Sequence, residues 1–591
     1  MRTAFSVTIK NLGQVIKVKP EETLSQALAR FNIPLRFDCG QRGVCGKCQV
    51  KILKGQVNPP GRQEKYILEF LKVDPSIRLA CLTKPKGDLE IEVPSESLVQ
   101  SVKILEKGVT TSFPYCPSLR QYLFTLEKPR VSSPSSLVER VKKVLALPEL
   151  EFPLDILNQL GEEARELPKK MQLVIYQDKE VISLEADSSP TPLLGLAVDL
   201  GTTTVVGELL DLESGRSLAV ASALNQQIRL GTDVITRLSE ALISEGKRRT
   251  LQRAARRTIN ALIHKLCQKT GYHEENILEV VIASNTAMNH LLLGLPIHTL
   301  ARAPYTALFQ YLPEEKAQEV GLRISPRGKI FLAPNIQSFI GGDISAGLLA
   351  TRFFEKSGRY LYLDLGTNGE IVLRNKNRFW GASTAAGPAF EGVGLSVGMM
   401  AAPGAIYQVS ATPSLEIKTI GRRKARGLCG TGLIDILSIA LQKKWLSQNG
   451  RILLRERLIK LTPQVALAQD DVRKLQMALA AVKAGVKIVM AKAELDFDQL
   501  DGLYLAGAFG SELNIANAMA IGLLPAIDPA KVYFVGNASL AGARCLLLNY
   551  TLREELISQI KRINFLSLAR EKDFQNIFIK SLDLSPYPEK E

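Results

Sequence analysis

The chain has 591 residues, 46% hydrophobic and 23% charged, which is an ordinary globular composition at a length beyond what one core organises. We therefore predict several domains. No run reaches the ~18 uninterrupted apolar residues of a membrane helix. Residues 1–18 alternate apolar and polar side chains instead of forming the apolar core of a signal peptide, so we expect a cytoplasmic protein with no membrane partner.

The formal net charge is +16, from 75 Lys and Arg against 59 Asp and Glu. Nucleic acid is one possible partner of a basic protein, but the basic residues here are scattered. The densest run, residues 247–257, has the spacing of one solvated helix face. We expect no nucleic-acid partner, and an acidic protein is the better use of this charge because electrostatics steers protein encounter.

Residues 1–94 are predicted to form a small strand-rich domain. Phe5–Ile9 and Val15–Val18 alternate like the strands of a hairpin. Glu22–Phe31 has helical spacing, and Leu89–Val93 alternates again as a closing strand.

The remainder of the chain divides into three predicted segments. Residues 95–134 are poorly patterned and carry prolines at positions 114, 117, 129 and 134, which predicts a linker. Residues 135–190 predict a small middle domain with a helical start and a strand at Gln172–Tyr176. Residues 191–591 predict a large α/β region with glycine-rich turns after apolar strands.

Four of the eight cysteines lie in the first 81 residues, namely Cys39, Cys45, Cys48 and Cys81. Two sulfide-bridged irons need four thiolates, and the glycine-rich loop 39–48 supplies three of them. The alternative is a structural zinc site, but such sites usually show paired Cys-x-x-Cys units and only one pair is present. The pattern therefore predicts a [2Fe–2S] cluster. The isolated cysteines at positions 116, 267, 429 and 545 are expected to be small buried hydrophobes.

This cysteine pattern resembles that of ferredoxins with a β-grasp fold. Plant-type ferredoxins have four residues between the first two cysteines. Five stand there in this chain, which is closer to the adrenodoxin-like branch.

In the large α/β region an apolar strand followed by Asp-Leu-Gly-Thr occurs twice, at residues 196–202 and 361–367. A glycine turn between strands exposes N–H groups to a phosphate, and threonine hydroxyls add donors. An aspartate at the strand end can hold Mg²⁺ through water or orient the attacking water. Two such hairpins facing each other would grip a nucleotide from both sides. The alternative is that the glycines only make tight turns.

Three further segments complete a family pattern: small-residue helices at Ile340–Gly347 and Gly536–Ala543, and a strand with a glycine turn at Leu503–Gly510. In the order phosphate 1, connect 1, phosphate 2, adenosine, connect 2, the motifs resemble the acetate and sugar kinase/Hsp70/actin superfamily. The resemblance implies a two-lobed actin/Hsp70-like ATPase domain that binds ATP and Mg²⁺.

By that resemblance Asp199 and Asp364 serve Mg²⁺ and water. The residues that would hold phosphates are Gly201, Thr202, Thr203, Thr204, Gly366, Thr367, Asn368 and Gly369. Gly507, Ala508 and Phe509 would back the adenosine, although this turn lacks the commoner Gly-Gly pair.

Three other segments are weaker candidates. His290, in Asn285–His290, would contact a ligand or act as a core or capping residue. Gly427–Gly432 opens a helix, whose free N–H groups suit an anion as well as a plain helix start. Gly387–Gly392 would line the cleft, with Glu391 as a catalytic candidate.

An electron-carrier domain joined to an ATP-driven clamp resembles, over residues 6–544, the reductive activators of corrinoid proteins. The resemblance implies ATP-dependent reduction of the Co(II) of a corrinoid (cobalamin-binding) protein to Co(I), a low-potential electron donor as a second partner, and a homodimer.

Three other classes of protein remain open, one of which is a non-enzymatic binding module that only senses ATP. An ATP-dependent activator of a different low-potential metalloenzyme usually holds a [4Fe–4S] cluster through cysteines of the ATPase fold, and no cysteine-rich loop follows residue 190. A flavin- or nicotinamide-dependent reductase would need a Gly-x-Gly-x-x-Gly turn after a first strand, which the sequence lacks.

Overall fold

The structure is a computed structural model that describes residues 4–31, 33, 35, 43, 46–71, 73–94, 97–98, 113–128, 135–186, 192–411, 414–507 and 512–587. It confirms the predicted multidomain fold of mixed α+β and α/β type: a β-grasp domain, a small domain and a two-lobed α/β domain. Among the described helices, none combines the length and the apolar character that crossing a membrane requires.

The N-terminal domain is a five-stranded sheet with two helices. Its elements are β1 (Phe5–Ile9), β2 (Gln14–Val18), α1 (Leu24–Arg30), β3 (Gln49–Lys54), α2 (Arg62–Phe70), β4 (Ile77–Leu79) and β5 (Leu89–Glu92). The strand order is β2-β1-β5-β3-β4, with β1 antiparallel to β2 and parallel to β5. Helix α1 begins at Thr23, whose hydroxyl accepts a hydrogen bond from the Gln26 amide in a capping box. This is the predicted β-grasp arrangement.

The small domain includes part of the segment that the sequence predicted to be a linker, so the predicted extent of the linker was wrong. Its elements are β6 (Leu119–Leu126), α3 (Leu137–Leu145), α4 (Leu154–Glu163), β7 (Lys169–Tyr176) and β8 (Glu180–Ala186), and the sheet order is β6-β7-β8. Strand β6 therefore lies inside the 95–134 segment that the sequence predicted to be a linker. Only the two end residues of this edge strand, Leu119 and Leu126, are fully buried, so it shows little hydrophobic periodicity. The prolines flank the strand and do not interrupt it.

The first lobe of the large domain is built on a six-stranded sheet. Its elements are β9 (Leu194–Leu200), β10 (Thr204–Asp211), β11 (Ser217–Leu224), α5 (Val234–Ile243), α6 (Glu245–Thr270), β12 (Ile277–Ser284), α7 (Thr286–Leu293), α8 (His298–Ala301), β13 (Glu315–Lys316), α9 (Ala317–Val320), β14 (Lys329–Leu332) and α10 (Gly342–Ala350).

The second lobe contains the other six-stranded sheet and two smaller sheets. Its elements are β15 (Arg359–Leu365), β16 (Gly369–Asn375), β17 (Arg378–Thr384), β18 (Ala405–Ser410), β19 (Glu416–Thr419), β20 (Gly427–Leu428), α11 (Gly430–Gln442), β21 (Leu458–Lys460), β22 (Ala466–Ala468), α12 (Gln469–Lys492), β23 (Gly502–Gly507), α13 (Ile515–Ala520), β24 (Val532–Gly536), α14 (Ala538–Leu548), α15 (Thr551–Ile560), β25 (Ile563–Leu566) and α16 (Phe574–Lys580).

The two large sheets repeat one topology. In the first, β9 pairs on one side with the antiparallel β10, which in turn pairs with β11, and on the other side with the parallel β12, which in turn pairs with β14. In the second sheet, β15 occupies the equivalent central position. It pairs with β16 on one side, followed by β17, and with β23 on the other side, followed by β24. Each Asp-Leu-Gly-Thr motif thus joins the central strand of its lobe to the adjacent hairpin strand, so the topology makes the two motifs equivalent.

Helices α10 and α14 cross between the lobes and share one hydrophobic core with the facing sides of both sheets. Small residues make the crossing close, because a side chain at Gly542 would collide with the main chain of Ala346. Gly347 likewise leaves room for the hydroxyl of Tyr362, a buried residue of β15. The small residues of the two predicted connect helices therefore allow the lobes to pack closely.

A buried ion pair fastens the small domain and α15 to the first lobe. Glu279 on β12 accepts hydrogen bonds from Arg553 Nη2 at 2.7 Å and from the Ser118 hydroxyl at 2.5 Å. Nearby, the Cys116 amide donates to the Leu548 carbonyl at 3.0 Å. The chain is therefore anchored to the large domain before β6 begins.

Candidate functional site

Two of the predicted cluster ligands stand side by side in the core of the N-terminal domain. The Sγ atoms of Cys48 and Cys81 are 3.3 Å apart, and both side chains are buried. The main chain brings them together, because the Ala80 amide donates to the Cys48 carbonyl at 2.8 Å. Two thiolates on one tetrahedral metal ion, with metal–sulfur bonds of about 2.3 Å, stand about 3.8 Å apart. The pair therefore fits two ligands of one iron.

The rest of the cysteine loop is described only in part. Cys39 and Cys45 lie outside the described residues. Gly43 and Gly46 have φ angles of +73° and +68°, a conformation that favours glycine. These values are typical of a tight glycine-rich loop.

The first hairpin of the large domain places Asp199 at the penultimate position of β9. Its carboxylate accepts hydrogen bonds from Asn537 Nδ2 and Ser539 Oγ, both at 2.9 Å. Both donors belong to the start of α14, so Asp199 links the first lobe to the second of the two connect helices. Burial raises the pKa of Asp199, and the two hydrogen bonds oppose that rise.

The turn residues Gly201 to Thr204 are all half-buried beside Asp199. Asn285, the residue that caps α7, donates from Nδ2 to the Thr202 hydroxyl at 3.1 Å. The sequence flagged Asn285 only as part of a weak motif. Its contact with the turn is a tertiary one, 83 residues away in sequence.

The second hairpin has an acidic environment. Asp364 is the penultimate residue of β15 and pairs in register with Glu370 on β16. Burial raises the pKa of Asp364 well above its usual range, and the charges of Asp343, Asp199 and Glu391 raise it further. Burial also raises the pKa of Asp343, in the first turn of α10, to about 7, with Asp199 contributing. The site thus concentrates carboxyl groups with raised pKa values at the second hairpin.

Two of these acidic residues were not chosen from the sequence. Asp343 lies in the predicted connect 1 helix, and Glu370 lies on β16, three residues after the second Asp-Leu-Gly-Thr motif. For Asp343, the sequence signal that could have identified it was its position as an acidic residue in the first turn of the connect 1 helix. Within the described residues, no three His, Cys, Asp or Glu side chains are arranged to hold a metal ion by themselves.

The loop after β17 reaches the second hairpin through Glu391. The Thr367 hydroxyl donates to Glu391 Oε1 at 2.8 Å. Burial raises the pKa of Glu391, and this hydrogen bond opposes the rise. The structure therefore places the weak candidate Glu391 beside a predicted phosphate-binding residue.

The predicted adenosine turn is described as far as Gly507. This residue has φ of +94°, and a side chain there would lie 2.7 Å from Asp364 Oδ1 and 2.6 Å from the Leu365 carbonyl oxygen. Ala508 and Phe509 lie outside the described residues. The absence of a side chain at Gly507 thus lets β23 pass close to Asp364.

The other weak candidates have structural roles. Burial lowers the pKa of His290, whose Nδ1 is 2.7 Å from the Thr286 carbonyl and whose Nε2 accepts from the Leu308 amide at 3.1 Å. It is a core histidine. The Gly427–Gly432 segment forms β20 and starts α11, where Thr431 donates to the Tyr407 carbonyl at 2.6 Å. Cys267, Cys429 and Cys545 are buried as expected, whereas Cys116 is half-buried.

The cluster loop contacts the second lobe. Lys47 Nζ, between two predicted ligands, donates to the Leu395 carbonyl at 3.2 Å and to the Ser396 carbonyl at 3.4 Å. Ser396 is fixed in turn by Asp471 of α12, to which its amide donates at 2.6 Å. The contacted carbonyls are four and five residues after Glu391, so the loop that touches the second hairpin also touches the cluster domain.

Comparisons with known proteins agree with this arrangement. Four family models match along the chain: "2Fe-2S iron-sulfur cluster binding domain" at residues 7–86, "RACo linker region" at 109–189, "RACo middle region" at 194–356 and "C-terminal domain of RACo the ASKHA domain" at 359–589. The family's linker region includes the small domain.

Three individual proteins are similar over much of the chain. A solved structure titled "Reductive activator for corrinoid,iron-sulfur protein" is 30% identical, with 98% of each chain covered and a TM-score of 0.73. "Corrinoid activation enzyme RamQ" of Eubacterium limosum is 27% identical over 98% of both chains. "[Co(II) methylated amine-specific corrinoid protein] reductase" of Methanosarcina barkeri is 26% identical over 66% of this chain and 77% of its own length.

The fold and the two sites define a class of protein: an iron–sulfur ferredoxin domain fused to a two-lobed domain of the acetate and sugar kinase/Hsp70/actin superfamily. The full-length match narrows this class. The chain belongs to the family of reductive activators of corrinoid proteins, as the sequence predicted.

Proposed function

We propose that this protein is an ATP-dependent reductive activator of a corrinoid protein. One electron passes from the reduced ferredoxin domain to the partner's Co(II), giving Co(I), and an external low-potential donor replaces that electron. The observation that carries this proposal is the contact of Lys47 with the loop of Glu391, which joins the cluster domain to the nucleotide hairpins within one chain.

The four cysteines Cys39, Cys45, Cys48 and Cys81 are the proposed ligands of the [2Fe–2S] cluster. When bound, the cluster supplies one-electron chemistry at a potential near about −400 mV, typical of plant-type centres. The close Cys48–Cys81 pair supports this ligand set. The alternative zinc site is disfavoured by the match of residues 7–86 to the iron–sulfur domain.

The two hairpins are the proposed ATP site. Gly201 to Thr204 and Gly366 to Gly369 would bind the phosphates, and Gly507 to Phe509 would back the adenosine. Mg²⁺ usually keeps several waters and binds one or two carboxylates together with phosphate oxygens. Asp364, with Asp343 and Glu391 nearby, supplies such carboxylates and would serve both Mg²⁺ and water, while Asp199, held by two hydrogen bonds from the start of α14, would assist them.

ATP is needed because Co(I) is a stronger reductant than the cluster. A gap on the order of 100 mV for one electron corresponds to roughly 2.3 kcal/mol, since 59 mV is a factor of ten. A nucleotide-driven change in the lobes can offset such a gap only if it favours partner binding in one cobalt state over the other. The crossing of α10 and α14 is the hinge we propose for that change.

The tether between the domains is shorter than the sequence indicated. Leu98 still pairs with Leu35 of the N-terminal domain, and Cys116 is already bonded to the large domain, so the tether we propose lies between residues 98 and 113. A tether raises the effective concentration of the donor domain near its target. Shortening this stretch should slow electron transfer and spare ATP turnover; an unchanged transfer rate would contradict the tether.

The test is cobalt reduction under anaerobic conditions, followed by absorbance as Co(II) becomes Co(I). The reduced protein is mixed with a purified corrinoid protein, with and without Mg·ATP, beside a Cys81→Ser variant and a Cys116→Ser control outside the cluster. We expect cobalt reduction only when ATP is present and Cys81 is intact. The Cys116→Ser control should reduce cobalt as the wild type does. If no corrinoid carrier is reduced while the protein still turns over ATP, the target is a different low-potential metalloenzyme.

A further inference from the structure

A buried arginine that has no carboxylate partner among the residues that the structure describes lies behind the first hairpin. Arg237, on α5, is fully buried. Its guanidinium donates to the Gly231 carbonyl at 2.8 Å, the Gln227 side chain at 3.1 Å, Met288 Sδ at 3.2 Å and the Thr202 carbonyl at 2.5 Å. All four acceptors are neutral.

The one carboxylate among the described residues whose charge acts on Arg237, that of Asp233, accepts its hydrogen bonds from residues other than Arg237. Asp233 caps α5, where its carboxylate accepts from the Thr236 amide at 2.8 Å and from the Thr236 hydroxyl at 2.7 Å. Burial lowers the pKa of Arg237 to about 9, and Asp233 only partly opposes that effect. A charge taken out of water is costly unless an opposite charge offsets it. The fold thus keeps a cation behind the hairpin without an ion-pair partner among the described residues.

Two residues of the same segment, Asn225 and Arg237, bond three successive carbonyls of the hairpin. Asn225 Nδ2 donates to the Gly201 carbonyl, Arg237 to the Thr202 carbonyl, and the Asn225 amide to the Thr203 carbonyl, the two Asn225 bonds being 2.9 Å long. Both peptide bonds that follow Gly201 and Thr202 are trans, so each N–H points opposite to its carbonyl. The Thr202 N–H therefore points away from Asn225 Nδ2 and the Thr203 N–H points away from Arg237. Successive N–H groups left open in this way can form an anion-binding nest.

We propose that Arg237 is a positioning residue for nucleotide phosphate, which acts through the Thr202–Thr203 peptide. The inference rests on the proposed nucleotide function of the hairpins. The guanidinium fixes and polarises that peptide, and the phosphate on its far side supplies the negative charge that the buried cation lacks. Arg237 touches neither substrate nor reacting atoms, so its contribution should grow with the number of phosphates on the ligand.

The test is calorimetric titration of the full-length holoprotein with adenosine, AMP and Mg·ADP. The variants are Arg237→Gln and Arg237→Lys, and Arg374→Gln is the matched control. Arg374 is also buried and also donates to two main-chain carbonyls, those of Phe353 and Phe354, but it lies on the second lobe away from the turn.

In the wild type we expect affinity to rise from adenosine to AMP to Mg·ADP. Arg237→Gln should lose roughly tenfold to a hundredfold in Mg·ADP affinity and little in adenosine affinity, because a charge–charge interaction is removed. Arg237→Lys keeps the charge and should recover part of the loss. Arg374→Gln should keep the wild-type ratio of the two affinities.

Equal loss of adenosine and Mg·ADP affinity in Arg237→Gln would overturn the inference, because it would show a purely structural role. If Arg237→Gln does not fold, as judged by circular dichroism, the ratio of Mg·ADP affinity to adenosine affinity is measured in Arg237→Lys instead. If Arg237→Lys binds both ligands more weakly but keeps the wild-type ratio, the inference is overturned. A wild type that binds no nucleotide would overturn the proposed function itself, which is a distinguishable result.

Discussion

The two Asp-Leu-Gly-Thr hairpins share a sequence motif and a position in the topology, yet their surroundings differ in charge. The first hairpin has Asp199 fixed by Asn537 and Ser539 and has the guanidinium of Arg237 behind its turn. The second has Asp364 facing further carboxylates. We propose a division of labour on this basis, in which the first hairpin contributes more to phosphate binding and the second contributes more to binding a cation with its water.

The largest expected effect comes from neutralising the aspartate of the acidic hairpin. Asp364→Asn should lower partner-stimulated ATP turnover by at least about 100-fold, because a group that serves metal and attacking water is lost. Asp199→Asn should lower it by only about tenfold, since an amide keeps much of the hydrogen bonding to α14. The measurement is phosphate release at saturating Mg·ATP. Equal losses in the two variants would contradict the division of labour.

A second prediction concerns the close approach of β23 to the acidic hairpin. Gly507→Ala should destabilise the large domain by about 2 kcal/mol, because the added methyl meets Asp364 and the Leu365 carbonyl and the residue has a positive φ. Gly271→Ala is the control, since Gly271 has a φ of +79° but nothing within 4 Å.

The Gly271→Ala control should lower the free energy of unfolding by about 1 kcal/mol, because of its backbone conformation alone. Thermal unfolding of both variants, with and without Mg·ADP, separates the two effects. If the melting temperatures fall by the same amount, the contact with Asp364 is unimportant.

The acidic cluster also predicts a pH dependence of stability. The pKa of Asp343 is about 7 in the folded protein and about 3.9 in an unfolded chain, so the folded state binds more protons between these values. Stability that is fully present below pH 4 is therefore lost as pH rises through 7. We expect the metal-free melting temperature to fall from pH 5.5 to 8.

Asp343→Asn should flatten that fall in thermal denaturation experiments. Asp74→Asn is the control, because Asp74 is exposed and its hydrogen bonds to Ser76 lower its pKa, so it is ionised in both states throughout this range. An unchanged slope in Asp343→Asn would show that Asp343 does not carry the dependence.

The smallest expected effect is at the first hairpin. Ser539→Ala removes one of the two hydrogen bonds to Asp199 and leaves the helix cap of Asn537 intact. A hydrogen bond to a charged group contributes about 1.5–3 kcal/mol, part of which water replaces, so turnover should fall about fivefold. The exposed Ser217→Ala is the control. A loss as large as that of Asp364→Asn would mean that Asp199 carries the chemistry.

Much of this picture was predictable from local patterns. Cysteine spacing and glycine turns indicated the β-grasp domain and its cluster, and the repeated Asp-Leu-Gly-Thr pattern indicated a two-lobed domain. The edge strand at Leu119–Leu126 was missed because it buries only its ends, and long-range pairing with Lys169–Tyr176 defines it. The surroundings of the two aspartates were also beyond sequence reasoning, because their neighbours come from distant elements.

The sequence by itself determined the class of protein, because thiolate spacing and turns after apolar strands are local requirements of the chemistry they serve. Only the tertiary structure decided which charge each hairpin faces. Asn537 reaches Asp199 across 338 residues, and Arg237 reaches Thr202 across 35. Electrostatic environment depends on distance in space and on burial, and neither quantity is written in the local order of residues.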